Sequence, residues 1–205
     1  MNFLERKKGK ILISSTNRSL ARNSHVSDYY ITPISSITEF LSSFNEKECI
    51  DWTGINILDP CAGGDANNGM SYPLALSEFC KTKSIETIDI RNDSLANIKA
   101  DYLDHNVQHK PNLIITNPPF NIALDIIKKA LDDVLDNGWV IMLLRLNFFG
   151  SKQRKAFWDK FMPRYAFVHH KRIGFTQNGS TDSIEYMHCC WQKGNYPNFC
   201  ELKVI

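Results

Sequence analysis

Asn117-Pro118-Pro119-Phe120 stands directly after the apolar run Asn112-Leu113-Ile114-Ile115-Thr116, and its residue types suit one kind of chemistry. Two successive prolines forbid helix and remove two backbone donors, so carbonyl groups at a strand end face whatever lies above them. Such a place wants an external donor. An exocyclic amino group on a nucleobase fits. The Asn117 side-chain oxygen and the Pro118 carbonyl each accept one N–H, and the Phe120 ring offers a face for stacking. Accepting both hydrogens draws electron density toward the amine nitrogen and aims it at an electrophile. The competing reading is a rigid turn with an incidental aromatic.

A second constellation, Asp59-Pro60-Cys61-Ala62-Gly63-Gly64-Asp65, follows another apolar run, Ile55-Asn56-Ile57-Leu58. Its glycines let a backbone approach a ligand closely, yet neither G-x-G-x-x-G nor G-x-x-x-x-G-K-[ST] is present, so the ligand need not carry phosphate. An acid beside a small-residue turn suits a molecule with a free amino group. Asp89, at the end of Ser84-Ile85-Glu86-Thr87-Ile88-Asp89-Ile90, stands where an open α/β sheet grips ribose hydroxyls. It follows Asp59 by 30 residues, more than the roughly twenty of a dinucleotide fold, and the excess reads as a loop over Asp65 to Pro73 that covers the site. Taken alone, a surface glycine turn explains the motif equally well.

The elements that must hold these residues alternate. The three runs above and Trp139-Val140-Ile141-Met142-Leu143-Leu144 read as buried parallel strands, and Ala123 to Leu135 reads as a helix with Leu124, Ile127, Leu131 and Leu135 on one face, closed by Asn137-Gly138. This strand–loop–helix repeat predicts an α/β fold with a doubly wound, mostly parallel sheet, whose ligands bind at the carboxyl ends of the strands. Ala166 to His169, Ile173 to Thr176 and Ile184 to Trp191 read as further strands around the turn Gln177 to Ser180, giving the sheet an antiparallel C-terminal edge.

The 205 residues, 43% hydrophobic and 22% charged, suit one domain and exclude a coiled coil, a collagen or a wholly disordered chain. Residues 1–25 read as a flexible basic arm, either a frayed terminus or a nucleic-acid contact, and residues 26–205 as a single domain. No window reaches the length of a membrane helix and Met1 to Lys8 lacks a signal-peptide core, so a cytoplasmic location with no membrane partner is expected. The six cysteines form no C-x-x-C pair, and no metal site is expected. The net charge of +2 neither demands nor excludes a polyanionic partner.

Asp28-Tyr29-Tyr30-Ile31-Thr32-Pro33, Asp59 to Gly64, Asp89 and Asn117 to Phe120, in that order, resemble the motif set of S-adenosylmethionine-dependent amino methyltransferases acting on DNA adenine. The stretch from Arg172-Ile173-Gly174-Phe175-Thr176 through Thr181-Asp182-Ser183-Ile184-Glu185-Tyr186 to Trp191 resembles the short forms carried by phages and prophages, whose setting is the bacterial host cytoplasm. The resemblance runs from about Asp28 to Trp191. It implies a Rossmann-like methyltransferase fold with S-adenosyl-L-methionine as cofactor. It implies further that Tyr29, Thr32 and Pro33 wall the methionine part. Asp59, Pro60 and the Ala62-Gly63 turn would hold its amino-acid end. Asp89 would take the ribose hydroxyls with Ile90 beside the adenine, and Asp101-Tyr102 would meet the adenine amino group and ring. Asp101 is the least specific of these, because an acid after a helix end often serves only as a cap. Asp182 and Glu185 would orient the active-site loop, or are merely solvated on an edge strand.

The implied reaction is methylation of the N6 amino group of adenine in DNA, with Asn117, Pro118, Pro119 and Phe120 holding the base. No metal or nucleophilic residue is called for, because a sulfonium methyl is already activated and alignment supplies much of the rate. In duplex DNA the adenine must flip out of the stack at a cost of a few kcal/mol. Lys152, Arg154, Lys155, Lys160, Arg164, Lys171 and Arg172 are candidate phosphate contacts, or a solvated helix face. No segment is long enough for a separate target-recognition region, so recognition is short or borrowed from a partner protein. RNA adenine and a protein glutamine amide present the same planar NH2 group, and a binding module without turnover is the remaining alternative. Asn at position 117 favours adenine, and Phe120 beside basic residues favours a base over an amide.

Overall fold

The computed structural model describes residues 30–79, 84–175 and 183–205. The expected basic arm, Tyr29, Asp182 and the turn Gln177 to Ser180 lie outside them. Eight strands form one sheet in the order β3-β2-β1-β4-β5-β7-β6-β8. β1 (Asn56–Asp59), β2 (Ser84–Asp89), β3 (Ile98–Lys99), β4 (Leu113–Thr116) and β5 (Trp139–Arg145) run parallel. The antiparallel pairing falls in the C-terminal part, as expected. β7 (Tyr186–Gln192) inserts between β5 and β6 (Tyr165–Val168), antiparallel to both, and β8 (Glu201–Val204) borders the sheet parallel to β6.

Strand side chains alternate between two cores. Leu58, Ile114, Val140, Met142, Ala166 and Trp191 face α3 (Ala123–Asp133) and α4 (Lys155–Lys160), while Ile57, Ile115, Ile141, Phe167 and Cys190 face α1 (Ile34–Glu48) and α2 (Ser71–Phe79). Both faces are covered, which is why the central strands read as unbroken apolar runs. α1 presents Ile37, Phe40, Leu41 and Phe44, all buried, at the i, i+3, i+4, i+7 spacing of one helical face. No helix among the described residues is long and apolar enough to cross a membrane.

Four expectations need correction. The length between Asp59 and Asp89 is not a loop over Asp65 to Pro73, because α2 begins at Ser71 and packs on the sheet, with Pro73 tolerated in its first turn. The apolar stripe of α3 is Ala123, Ile126, Ile127, Ala130 and Leu131, and the helix stops before Leu135, which is 39% exposed. Ile173 to Phe175 is not a strand. Ile173 and Phe175 are buried by packing on Leu143 and Tyr186, so their hydrophobicity reports a small satellite core rather than a ladder. Asp101 follows the short strand β3, not a helix.

Candidate functional site

The carboxyl ends of β1, β2 and β4 open into a cleft of about 880 Å³ including its solvent-filled mouth. At the end of β1 the chain turns through Gly63 and Gly64, whose φ angles of 64° and 74° lie in the left-handed region that glycine adopts without strain. A Cβ on Gly64 would stand 2.9 Å from Met70 and 3.1 Å from Leu95, so that position has little room for a side chain. β2 pins it. Ala62 N–H donates to the Ile88 carbonyl (2.9 Å), Gly63 N–H to Asp89 Oδ2 (2.8 Å), and Arg91 Nη2–H to the Gly64 carbonyl (2.6 Å).

Asp89 is thus held by two backbone donors, since Arg91 N–H reaches its Oδ1 at 2.8 Å. A carboxylate offers about four lone-pair positions, so acceptor capacity remains for hydroxyls from the cleft. Ile90 beside it is half exposed, an apolar surface for a ring. Across the cleft Asp101 accepts Leu103 N–H (2.9 Å) in a local turn. Tyr102 lies almost fully buried, its hydroxyl donating to Asp133 Oδ2 (2.9 Å). Burial and the adjacent Asp133 push the Tyr102 pKa far up, so it stays neutral.

Asp59 is in a different position. It is completely buried beneath the turn rather than in the cleft wall, and Oδ1 accepts from Thr116 Oγ1–H (2.6 Å) and Cys61 N–H (3.2 Å). Oδ2 has no partner among the described residues. Desolvation raises its pKa to about 7, against the opposing Thr116 and Cys61 hydrogen bonds.

At the end of β4, Asn117 Nδ2–H donates to Thr32 Oγ1 (3.1 Å), a tether across 85 residues of chain. The amide is thereby oriented, and its Oδ1 is buried with no hydrogen-bond partner among the described residues. Asn117, Pro118 and Pro119 line the cleft, together with Thr32, Pro60, Ala62, Gly63, Asp89, Ile90, Asp101 and Tyr102. The structure therefore brings together most of the residues that the sequence singles out. Pro33 and Phe120 do not line the cleft. Phe120 packs beside it, 6.2 Å from the Tyr30 ring and 5.7 Å from Tyr186, with the Arg145 guanidinium 4.6 Å above its own ring.

Sequence reading misses Tyr30, Arg91 and Arg145. Tyr30 lines the cleft within the motif in which Tyr29 is chosen, and either tyrosine fits that pattern. Arg91 is nearly fully buried against Asp89 (Nε to Oδ1, 3.4 Å), and its place two residues past a strand end is the one available signal. Arg145 ends β5, and its Nε is buried without a partner among the described residues. Glu185 is exposed and meets Arg172 at 3.6 Å, and it does not line the cleft.

No protein-family model matches the sequence, and no protein of curated function does. Solved structures do match. A type I restriction-modification system methyltransferase subunit from Streptococcus thermophilus superposes with a TM-score of 0.64 at 13% identity, over 85% of this chain and 47% of that one. A Listeria monocytogenes protein assigned as a class I S-adenosylmethionine-dependent methyltransferase gives 0.60 at 15% identity, over 85% of this chain and 65% of that one. A Pyrococcus horikoshii protein assigned as an RNA methyltransferase gives 0.59 at 16% identity, over 83% and 89%. The chain thus spans less than two thirds of the first two proteins. It shares with all three the Rossmann-like fold of the class I methyltransferases.

Proposed function

We propose that this chain transfers a methyl group from S-adenosyl-L-methionine to the exocyclic N6 amino group of adenine in DNA. The observation that carries the reading is Asn117 Oδ1, a buried acceptor with no partner among the described residues, fixed in orientation by Thr32 and set at the wall of the cleft. An unsatisfied buried acceptor of this kind costs about 1–3 kcal/mol, and the N–H of an amino group would satisfy it.

The cleft fits the cofactor on its own features: a left-handed Gly63-Gly64 turn that puts backbone in its wall, a carboxylate at the end of β2 with acceptor capacity left, and apolar Ile90 and Pro60 beside them. Asp89 would hold the ribose hydroxyls, the Ala62-Gly63 backbone the amino-acid end, and Ile90 with Tyr102 the adenine. When bound, the cofactor supplies an electrophilic methyl group. Asn117 Oδ1 and the Pro118 carbonyl accept the two hydrogens of the target amine, which fixes its lone pair along the line of attack. Because the prolines and the Thr32 tether hold these acceptors before substrate arrives, little reorganisation is needed at the moment of reaction. Phe120, stacked with Arg145, borders the place where a flipped base would enter. The resemblance of the motif order to DNA adenine methyltransferases, and neighbours described as a type I restriction-modification system methyltransferase subunit and an RNA methyltransferase, support a nucleic-acid substrate.

The test is mass spectrometry of DNA, RNA and total protein after incubation with the chain and methyl-labelled S-adenosylmethionine. Label in N6-methyladenine of DNA is expected. Asn117→Ala should lower transfer at least about 100-fold with cofactor affinity nearly unchanged. Label confined to protein would reassign the acceptor as an amide. Turnover that survives in Asn117→Ala would remove Asn117 from the acceptor site.

A further inference from the structure

β8 borders the sheet, all four of its residues are exposed, and among the described residues no strand pairs with its outer side. Leu202 and Val204 are 57% and 60% exposed. The unpaired N–H and C=O groups of such an edge are a template for another strand. The N–H groups of Glu201 and Ile205 donate toward β6, to the Arg164 and Val168 carbonyls (2.9 and 2.8 Å), so alternation turns the peptide groups of Leu202 and Val204 outward. Glu201 and Lys203 project on the α1 side, where they meet Lys47 (2.7 Å) and Glu46 (3.4 Å). Leu202 and Val204 project on the other side.

We propose that β8 pairs antiparallel with β8 of a second copy of this chain, about a two-fold axis through Leu202. The side chains select that register. With Leu202 opposite its own copy, Glu201 faces Lys203 of the second copy, Lys203 faces Glu201, and Cys200 faces Val204. A register centred on Glu201 or on Lys203 sets like charges opposite each other, and one centred between Leu202 and Lys203 sets charged side chains against apolar ones. Leu202, with its peptide groups outward, exchanges both hydrogen bonds with its counterpart, which leaves Glu201 and the facing Lys203 in the closer, non-hydrogen-bonded pair. On the α1 side the charges then alternate across the axis as Lys47 and Glu201 of one copy, Lys203 and Glu46 of the other. The axis stands perpendicular to the sheet, so the two candidate clefts open at opposite edges of a doubled sheet. The inference is independent of what the cleft binds.

Sedimentation velocity of the full chain over a concentration series tests it, with Lys203→Glu alone and combined with Glu201→Lys. The unaltered chain should dimerise with rising concentration. Lys203→Glu, which creates two like-charge pairs across the axis, should raise the dissociation constant about tenfold or more, and the double exchange should recover affinity because opposite charges face each other again. Recovery also separates loss of pairing from loss of folding. A chain that stays monomeric throughout, a dimer indifferent to Lys203→Glu, or a double exchange no tighter than the single one would each overturn the proposal.

Discussion

At pH 8 the carboxyl of Asp59 carries charge where water does not reach it. Its pKa is about 7 in the folded chain and near 3.8 when unfolded, so between those values the folded state holds a proton that the unfolded state has lost. The stability this proton contributes is fully present below pH 3.8 and is lost as pH rises through about 7. Asp59→Asn removes the titration, so its melting temperature should gain on that of the unaltered chain between about pH 5 and 8, by roughly 4 °C or more. A constant difference would mean that Asp59 does not titrate there. Arg145 makes a separate claim. Its guanidinium over Phe120, and its Nε, buried without a partner among the described residues, set it beside the proposed base entry, so under that proposal Arg145→Ala should raise the KM for DNA about tenfold or more without weakening cofactor binding. Arg145→Lys should not restore it, because an ammonium lacks the planar face. Equal losses in cofactor binding would make the residue structural. Asn117 and Asp89 are legible in sequence because each ends an apolar run inside a contiguous motif. Arg91 and Arg145 are not, since what makes them notable is burial among residues distant in the chain.

Elements were legible where burial was two-sided. β4 and β5 appear as apolar runs because helices cover both faces, and β2 keeps Glu86, which is exposed, whereas Ile173 to Phe175 shows an apolar run for a different reason, anchoring a loop by side chains alone. α1 carries its Ile37, Phe40, Leu41, Phe44 stripe openly, directly after the Asp28 to Pro33 motif, and α2 spans only nine described residues with Pro73 in its first turn, a pattern too brief to read. The junction of α3 and β5 depends on Gly138, where a Cβ would stand 2.8 Å from the Asn112 and Leu135 carbonyl oxygens. Those are backbone atoms, held by Trp139 N–H to the Asn112 carbonyl (2.9 Å) and Gly138 N–H to the Leu135 carbonyl (2.9 Å). Gly138→Ala should therefore cost about 1–3 kcal/mol in urea unfolding. A neutral result would show that the turn can yield.

On the scale of the whole molecule, the basic residues between Lys152 and Arg172 do not form one face. Lys171 and Arg172 follow β6 at the edge of the sheet where the cleft opens, whereas Arg164 precedes β6 at the far edge. There Arg164 bonds Gln192 (2.5 Å) and Tyr165 (2.9 Å) and meets Glu48 at 3.3 Å. Arg154 donates to the Phe148 carbonyl (2.7 Å), and Lys155 pairs with Asp159. Lys171→Glu and Arg172→Glu should each weaken DNA binding at all sequences and lower the salt slope by about one, while Arg164→Ala should leave both unchanged and reduce stability instead. A salt slope that responds to Arg164 and ignores Lys171 would place the nucleic acid on the wrong edge.

The place of β7 has a consequence for how the chain is made. It is the seventh strand in sequence but lies inside the sheet, so β5, with Val140 to Leu144 fully buried in the finished protein, waits without its partner while some forty residues leave the ribosome. During that interval the most apolar strand of the molecule is an open edge. Synthesis that pauses before Tyr186 would expose it to neighbouring nascent chains, and the yield of soluble protein is then set by how quickly the last strands arrive.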